Sequence, residues 1–158
     1  MTSKDVQLDA RDRAILAILQ REGRIPNAEL AARVNLSASA CHRRVARLEA
    51  AGVIRRYAAL VDPRAVGRRS TVFVEITLRG QSDELLRQFE AAVARIPDVL
   101  ECHLMAGAAD YLLKVAARDP EDFARIHRQH LSRLPGVSQM QSSFALRRVV
   151  STTALPLD

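Results

Sequence analysis

The 158-residue sequence holds only two cysteines, Cys41 and Cys102, in different halves and in unrelated surroundings. A disulfide framework is therefore not expected, and two reduced, buried thiols are. No apolar run approaches the ~20 residues of a membrane helix. The start, Met1 to Leu8, is polar and carries an acid, unlike a secretory signal peptide, so the expected compartment is the cytoplasm. There is no glycine-rich phosphate loop and no nucleophile beside a recognisable base, so an enzyme is not expected. His127 and His130 have the i, i+3 spacing that two metal ligands can use, but Phe123, Ile126 and Leu134 share their stripe. A metal site needs three or four ligands, so these histidines read as partly buried at a helix–sheet contact. Cys102 and His103 are neighbours on a strand and point to opposite faces. No cofactor is expected.

What is present is an asymmetric charge. The net charge is +6, and 22 of the 24 basic residues are arginine. Residues 1–60 carry eleven Lys/Arg against six Asp/Glu, whereas residues 61–158 carry thirteen against twelve. The first third thus holds nearly all the excess, which points to a polyanion as its partner.

That third reads as three helices. Leu8, Ile15, Ile18 and Leu19 recur at helical spacing behind a capping Asp9, and Gly23 ends the run. Pro26 and Asn27 start a short second helix with Leu30, Ala31 and Val34 on one side. Asn35-Leu36-Ser37 is a tight connection, with Ser37 capping a third helix that runs to Ala51 and stops at Gly52. In the third helix Cys41, Val45 and Leu48 form one apolar face. The opposite face carries Ser39, Arg43 and Arg47 among small alanines, flanked by His42 and Arg44.

Such a helix can enter a major groove. Arginine pairs bidentately with guanine or holds phosphate, and serine does either more weakly. Backbone amides at Ser37 and Ser39 suit a phosphate. An ordinary three-helix unit with a solvated basic face gives the same pattern. The segment Val53 to Val61 reads as extended and resembles a wing strand whose Arg55 and Arg56 lie beside the groove.

The period changes after Asp62-Pro63. Strands are expected at Thr71–Leu78, Val99–Met105, Tyr111–Ala116 and Val137–Leu146, with helices at Asp83–Arg95 and Pro120–Leu134. That βαββαβ order is the ferredoxin-like arrangement. Ile96-Pro97-Asp98-Val99 and Leu134-Pro135-Gly136-Val137 punctuate its two halves alike. The tail from Ser151 carries Ala154, Leu155 and Leu157, apolar enough to pack.

Many short motifs now line up. They are Leu8-Asp9, Asp12-Arg13, Ile15-Leu16, Gly23-Arg24, Glu29-Leu30-Ala31, Leu36-Ser37, Arg43-Arg44-Val45, Arg47-Leu48-Glu49, Gly52-Val53-Ile54, Leu60-Val61-Asp62-Pro63, Gly107, Asp110-Tyr111-Leu112-Leu113 and Leu134-Pro135-Gly136-Val137. Together they resemble the Lrp/AsnC family, the leucine-responsive and asparagine-synthesis regulators, from Leu8 to about Val150. The resemblance implies a bacterial or archaeal transcription factor that binds double-stranded DNA. It implies a ferredoxin-like sensor that pairs with a second copy through its sheet, and dimers that build octamers. It also implies an amino-acid effector in clefts between dimers, formed by a Gly-x-x-Asp turn and the last strand.

Here that turn is Gly107-Ala108-Ala109-Asp110, and the resemblance favours Met140 and Ser142 on the facing strand. Backbone amides of small turn residues suit a carboxylate, and Asp110 is a candidate acceptor for an α-ammonium. A plain hairpin turn capped by Asp110 is the alternative. The wall lacks an acid or base for a charged side chain, so an apolar, leucine-like effector is expected. A ligand-independent architectural DNA binder is the rival function.

The expected fold class is α+β. A winged helix-turn-helix DNA-binding domain spans 1–56, a connecting strand and linker 57–69, and a ferredoxin-like dimerisation and effector-binding domain 70–158. The DNA-contact candidates are Ser37, Ser39, His42, Arg43, Arg44, Arg47, Arg55 and Arg56.

Overall fold

The computed structural model describes residues 7–157, so the polar start up to Val6 lies outside the described residues, as does Asp158. The chain divides into two compact units. One contains the residues up to Leu60 together with those from Val150 onward, and the other runs from Val61 to Val149.

The first unit holds α1 (Ala10–Leu19), α2 (Asn27–Arg33) and α3 (Ala38–Ala50). Each boundary has a local cause. Asp9 closes a capping box with Asp12 at the start of α1. Asn35 makes the α2–α3 turn with φ 52°, a left-handed value that asparagine tolerates better than most residues. Ser37 Oγ accepts from the Ala40 amide at 3.2 Å and caps α3. At the other end Gly52 takes φ 73° and donates to the Glu49 carbonyl, while Val53 donates to that of Leu48. This pair of bonds is a Schellman closure. Ile15, Leu16, Leu30, Ala31, Val34, Cys41 and Leu48 are buried together and fix the three helices.

The expected strand after α3 does not form a ladder. Val53 and Ile54 are half-buried against the helical core, and residues 55–61 are exposed and join no strand among the described residues. The tail packs on this same unit. Leu157 lies against the helical core, and Gln20 exchanges two hydrogen bonds with the backbone of Leu155, at 2.6 and 3.1 Å.

The second unit contains β1 (Ser70–Leu78), α4 (Asp83–Val93), β2 (Val99–Leu104), β3 (Tyr111–Ala117), α5 (Pro120–Gln129), a 3₁₀ turn (Leu131–Arg133) and β4 (Val137–Phe144). The strands pair antiparallel in the order β2-β3-β1-β4, the ferredoxin-like topology read from the sequence. Alternation in β1 and β3 turns Val72, Val74, Ile76, Tyr111, Leu113 and Val115 into the core, where they meet Phe89 and Val93 of α4 and Phe123 and Ile126 of α5. Each large apolar side chain buried there contributes roughly 1.5–3 kcal/mol. Phe89 packs on Tyr111 with ring centroids 4.5 Å apart.

Two further expectations need adjusting. The second long helix ends at Gln129, because Leu134 precedes Pro135 and takes an extended conformation, so the chain tightens into the 3₁₀ turn first. Of the two cysteines, Cys41 is buried but Cys102 is exposed. Cys102 lies on β2, an outer strand of the sheet, where no further strand pairs with it among the described residues.

Candidate nucleic-acid interface and effector turn

The exposed face of α3 carries Ser39, His42, Arg43, Ala46, Arg47 and Ala50, while Cys41 and Leu48 are fully buried behind it. The Ser37 and Ser39 hydroxyls lie 3.2 Å apart at the N-terminal end. Asn27 of α2 donates to the Ala38 carbonyl at 2.9 Å and ties the two helices at the turn. Arg11 of α1 donates to the carbonyl of Val34.

The arginines of the candidate set differ in kind. The guanidinium groups of Arg43, Arg55 and Arg56 have no partner among the described residues and stand exposed. Arg44 and Arg47 instead reach back to α1. Arg44 donates to Asp9 at 2.6 Å and to Asp12 at 2.9 Å, and Arg47 donates to Asp12. Asp12 is wholly buried. The Asp12 backbone amide and the Arg44 guanidinium hold the Asp9 carboxyl down, to a pKa of about 2. Asp9 and Asp12 in turn push the Arg44 pKa up. Tyr57 follows this arginine-rich stretch and donates to Glu49 at 2.9 Å. Partial burial, with Glu49 beside it, raises the Tyr57 hydroxyl to about 12.

Sequence reasoning placed Arg44 and Arg47 on α3 but missed their partner. The signal was present. Leu8, Asp12, Ile15 and Leu19 follow helical spacing, and an acid on an apolar stripe calls for a cation from the facing element.

In the second unit, Gly107, Ala108, Ala109 and Asp110 form the turn between β2 and β3, with Gly107 and Ala108 exposed. Both carboxylate oxygens of Asp110 are engaged. One accepts from the Leu78 amide and the other from the Gln81 side chain, each at 2.7 Å. The Asp110 amide donates to Ile76 at 2.9 Å, so the turn is fastened to the end of β1. Met140 pairs with Ile76 from the other side of β1. The register puts Met140 and Ser142 on the helix-bearing face, beside Ile76 and Val74, and Gln141 and Ser143 on the open face. Met140 packs partly into the core, and Ser142 is exposed. Gln81 is the member of this cluster that sequence reasoning did not single out.

His127 and His130 are half-buried, and His127 lies near the Phe123 ring. No group of three or more metal-ligating side chains occurs among the described residues. Among the same residues no helix is long and apolar enough to cross a membrane.

A profile described as the Lrp/AsnC ligand binding domain matches residues 71–155, over half of the chain, and one for a winged helix-turn-helix DNA-binding domain matches residues 8–55. The chain belongs to the Lrp/AsnC family. It is 41% identical over 148 residues to the leucine-responsive regulatory protein of Salmonella typhimurium, covering 94% of this chain and 90% of that protein. An uncharacterized HTH-type transcriptional regulator of Sinorhizobium fredii is 48% identical over 118 residues, 75% of this chain and 93% of its own. Among solved structures, a transcriptional regulator of Neisseria meningitidis in complex with L-Met superposes with a TM-score of 0.91 at 39% identity. That match covers 96% of this chain and 98% of that one. An AsnC family regulator of Agrobacterium tumefaciens gives the same TM-score at 38% identity, with coverages of 94% and 97%. This Lrp/AsnC member is a DNA-binding transcription regulator with a ligand-binding domain.

Proposed function

We propose that this regulator reads a specific operator through α3, as a dimer or higher homo-oligomer, and that an apolar amino acid bound near the 107–110 turn tunes it. The observation that carries the DNA half is the exposed α3 face. Arg43 is free there between Ser39 and Arg47, with a buried apolar face fixing the helix behind it. Arg55 and Arg56 add backbone attraction, and His42 lies at the edge. In a dimer two such helices meet half-sites about one helical turn, or roughly 34 Å, apart.

The effector half is supported by the Neisseria relative's complex with L-Met and by the uncharged, small-residue turn. With both Asp110 oxygens engaged by Leu78 and Gln81, the aspartate's part in this reading is to hold the turn in shape. The backbone amides of Gly107, Ala108 and Ala109 are left to meet a ligand carboxylate. Met140 and Ser142 line the facing strand. The effector shifts DNA binding only by favouring one assembly over another.

The test is a thermal-shift series with each of the twenty amino acids at millimolar concentration, followed by DNA binding with and without the hits. A ligand at 100 times its Kd stabilises the fold by about 2.7 kcal/mol. Shifts from methionine, leucine or their kin support the proposal. Shifts from lysine, arginine or aspartate alone overturn the apolar effector, and no shift at all favours the architectural regulator.

A further inference from the structure

Asp12 is the only wholly buried charged side chain in the helical unit among the described residues, and it lies behind the helix proposed to read DNA. Its Oδ1 accepts from Arg44 at 2.9 Å. Its Oδ2 accepts from Arg47 Nη2 and from the Asp9 amide, the latter at 3.2 Å. Arg44 also bonds Asp9 at 2.6 Å. One buried carboxylate thus receives two cations from α3, three residues apart.

The two arginines are not equivalent. Arg44 is spent on both acids and its side chain is 30% exposed. Arg47 is anchored through one nitrogen, its side chain is 50% exposed, and its remaining donors have no partner among the described residues. Arg47 shares its face with Arg43, one helical turn before it.

The geometry points to Asp12 as a specificity-determining positioning residue: by pinning one edge of the Arg47 guanidinium it aims the free edge at a base and keeps it from wandering to phosphate. A loose arginine on a DNA-facing helix binds any sequence, because phosphate is everywhere and carries no sequence information. An arginine held at one end presents its planar fork in a fixed direction, which bidentate base recognition requires. Asp12 touches no DNA in this scheme. It acts through Arg47, and Arg44 neutralises what remains of its charge.

This inference rests on α3 being the DNA reader, and the experiment separates the two. The wild-type chain first selects its preferred duplex from a random-sequence pool. Affinities for that duplex, for each single-base variant and for a scrambled duplex are then measured with wild type, Asp12→Asn, Arg47→Met and the double variant, with folding checked by circular dichroism. The expected result is that both single variants lose discrimination at the same base position by about tenfold or more, and that the double variant loses no more than either. Asp12→Asn should bind the scrambled duplex as tightly as wild type or more so, with a steeper salt dependence, because a freed guanidinium reaches phosphate. A purely structural role lowers binding to both duplexes together. The inference is overturned if Asp12→Asn keeps every base preference, if it weakens both duplexes equally, or if the two losses multiply in the double variant. Retention of every base preference by Arg47→Met overturns it without relying on Asp12→Asn to fold. If wild type selects no sequence, the reading of α3 as a specific reader falls as well.

Discussion

The division between free and tethered arginines has a consequence in the salt dependence of DNA binding. Neutralising one phosphate releases counterions and adds about −0.9 to the slope of log affinity against log salt on duplex DNA. Arg43, Arg55 and Arg56 are free, whereas Arg44 and Arg47 are bound to Asp12. Three free cations contribute a slope of about −2.7 per chain, against about −4.5 if all five engaged phosphate. Between 50 and 200 mM salt these contributions correspond to losses of about 40-fold and about 500-fold.

Other cations add a common background, so the informative quantity is the change on substitution. Replacing Arg43, Arg55 and Arg56 together by alanine should make the slope shallower by about 2.7 per chain on a random-sequence duplex, while Arg44→Gln should change it by much less than 0.9. Fluorescence anisotropy titrations at five or six salt concentrations provide the slopes. If Arg44→Gln makes the slope shallower by about 0.9, its ion pairs with Asp9 and Asp12 break on DNA and the division is wrong.

Leu48→Ala empties a fully buried site in the helical core and should cost about 2–5 kcal/mol in chemical denaturation of that unit; a loss below 1 kcal/mol would contradict the packing described. The carboxyl of Asp9 has a folded pKa lowered to about 2, from 3.8, so its stabilisation is complete above about pH 4 and fades as pH falls toward 2. Thermal melts of Asp9→Asn should therefore lose part of the wild-type acid sensitivity across that window, and an unchanged profile would count against the contacts of Asp9 with the Asp12 amide and Arg44. Gly136 has φ 74°, and a Cβ there would lie 2.5 Å from Leu85 Cδ1, so Gly136→Ala should destabilise the sheet unit by about 1–2 kcal/mol or more, visible in its melting temperature.

The elements whose causes are local were readable from sequence. Asp9, Ser37 and Gly52 mark helix ends through side chains and φ values that a short window contains. The alternation in β1 and β3 likewise reports one buried face, and the two Pro-bearing junctions at Ile96 and Leu134 reveal the twofold βαβ plan. What escaped depends on contacts distant in sequence. Asp12 is 32 and 35 residues from its arginines, so only the crossing of α1 and α3 reveals that two of the candidate DNA contacts are already paired. The exposure of Cys102 follows from strand order, which a strand's own sequence does not encode. Asp110 reads from sequence either as a candidate acceptor for an α-ammonium or as a turn cap, and its bonds to Leu78 and Gln81, 32 and 29 residues away, depend on the turn folding back on β1.

The contact between Gln20 and Leu155 spans 135 residues and bears on the order of assembly during synthesis. The three helices leave the ribosome before the sheet unit, and domains generally fold as they emerge. The helical unit must nevertheless wait for its last piece, Leu155 and Leu157, until the whole sheet unit has been translated. Closing so long a loop in an unfolded chain is entropically costly, and a folded sheet unit between the two ends removes most of that cost. The DNA-binding half is thus finished only in a chain whose sensor half has already been made, which gives the nascent regulator an order of maturation written in its connectivity.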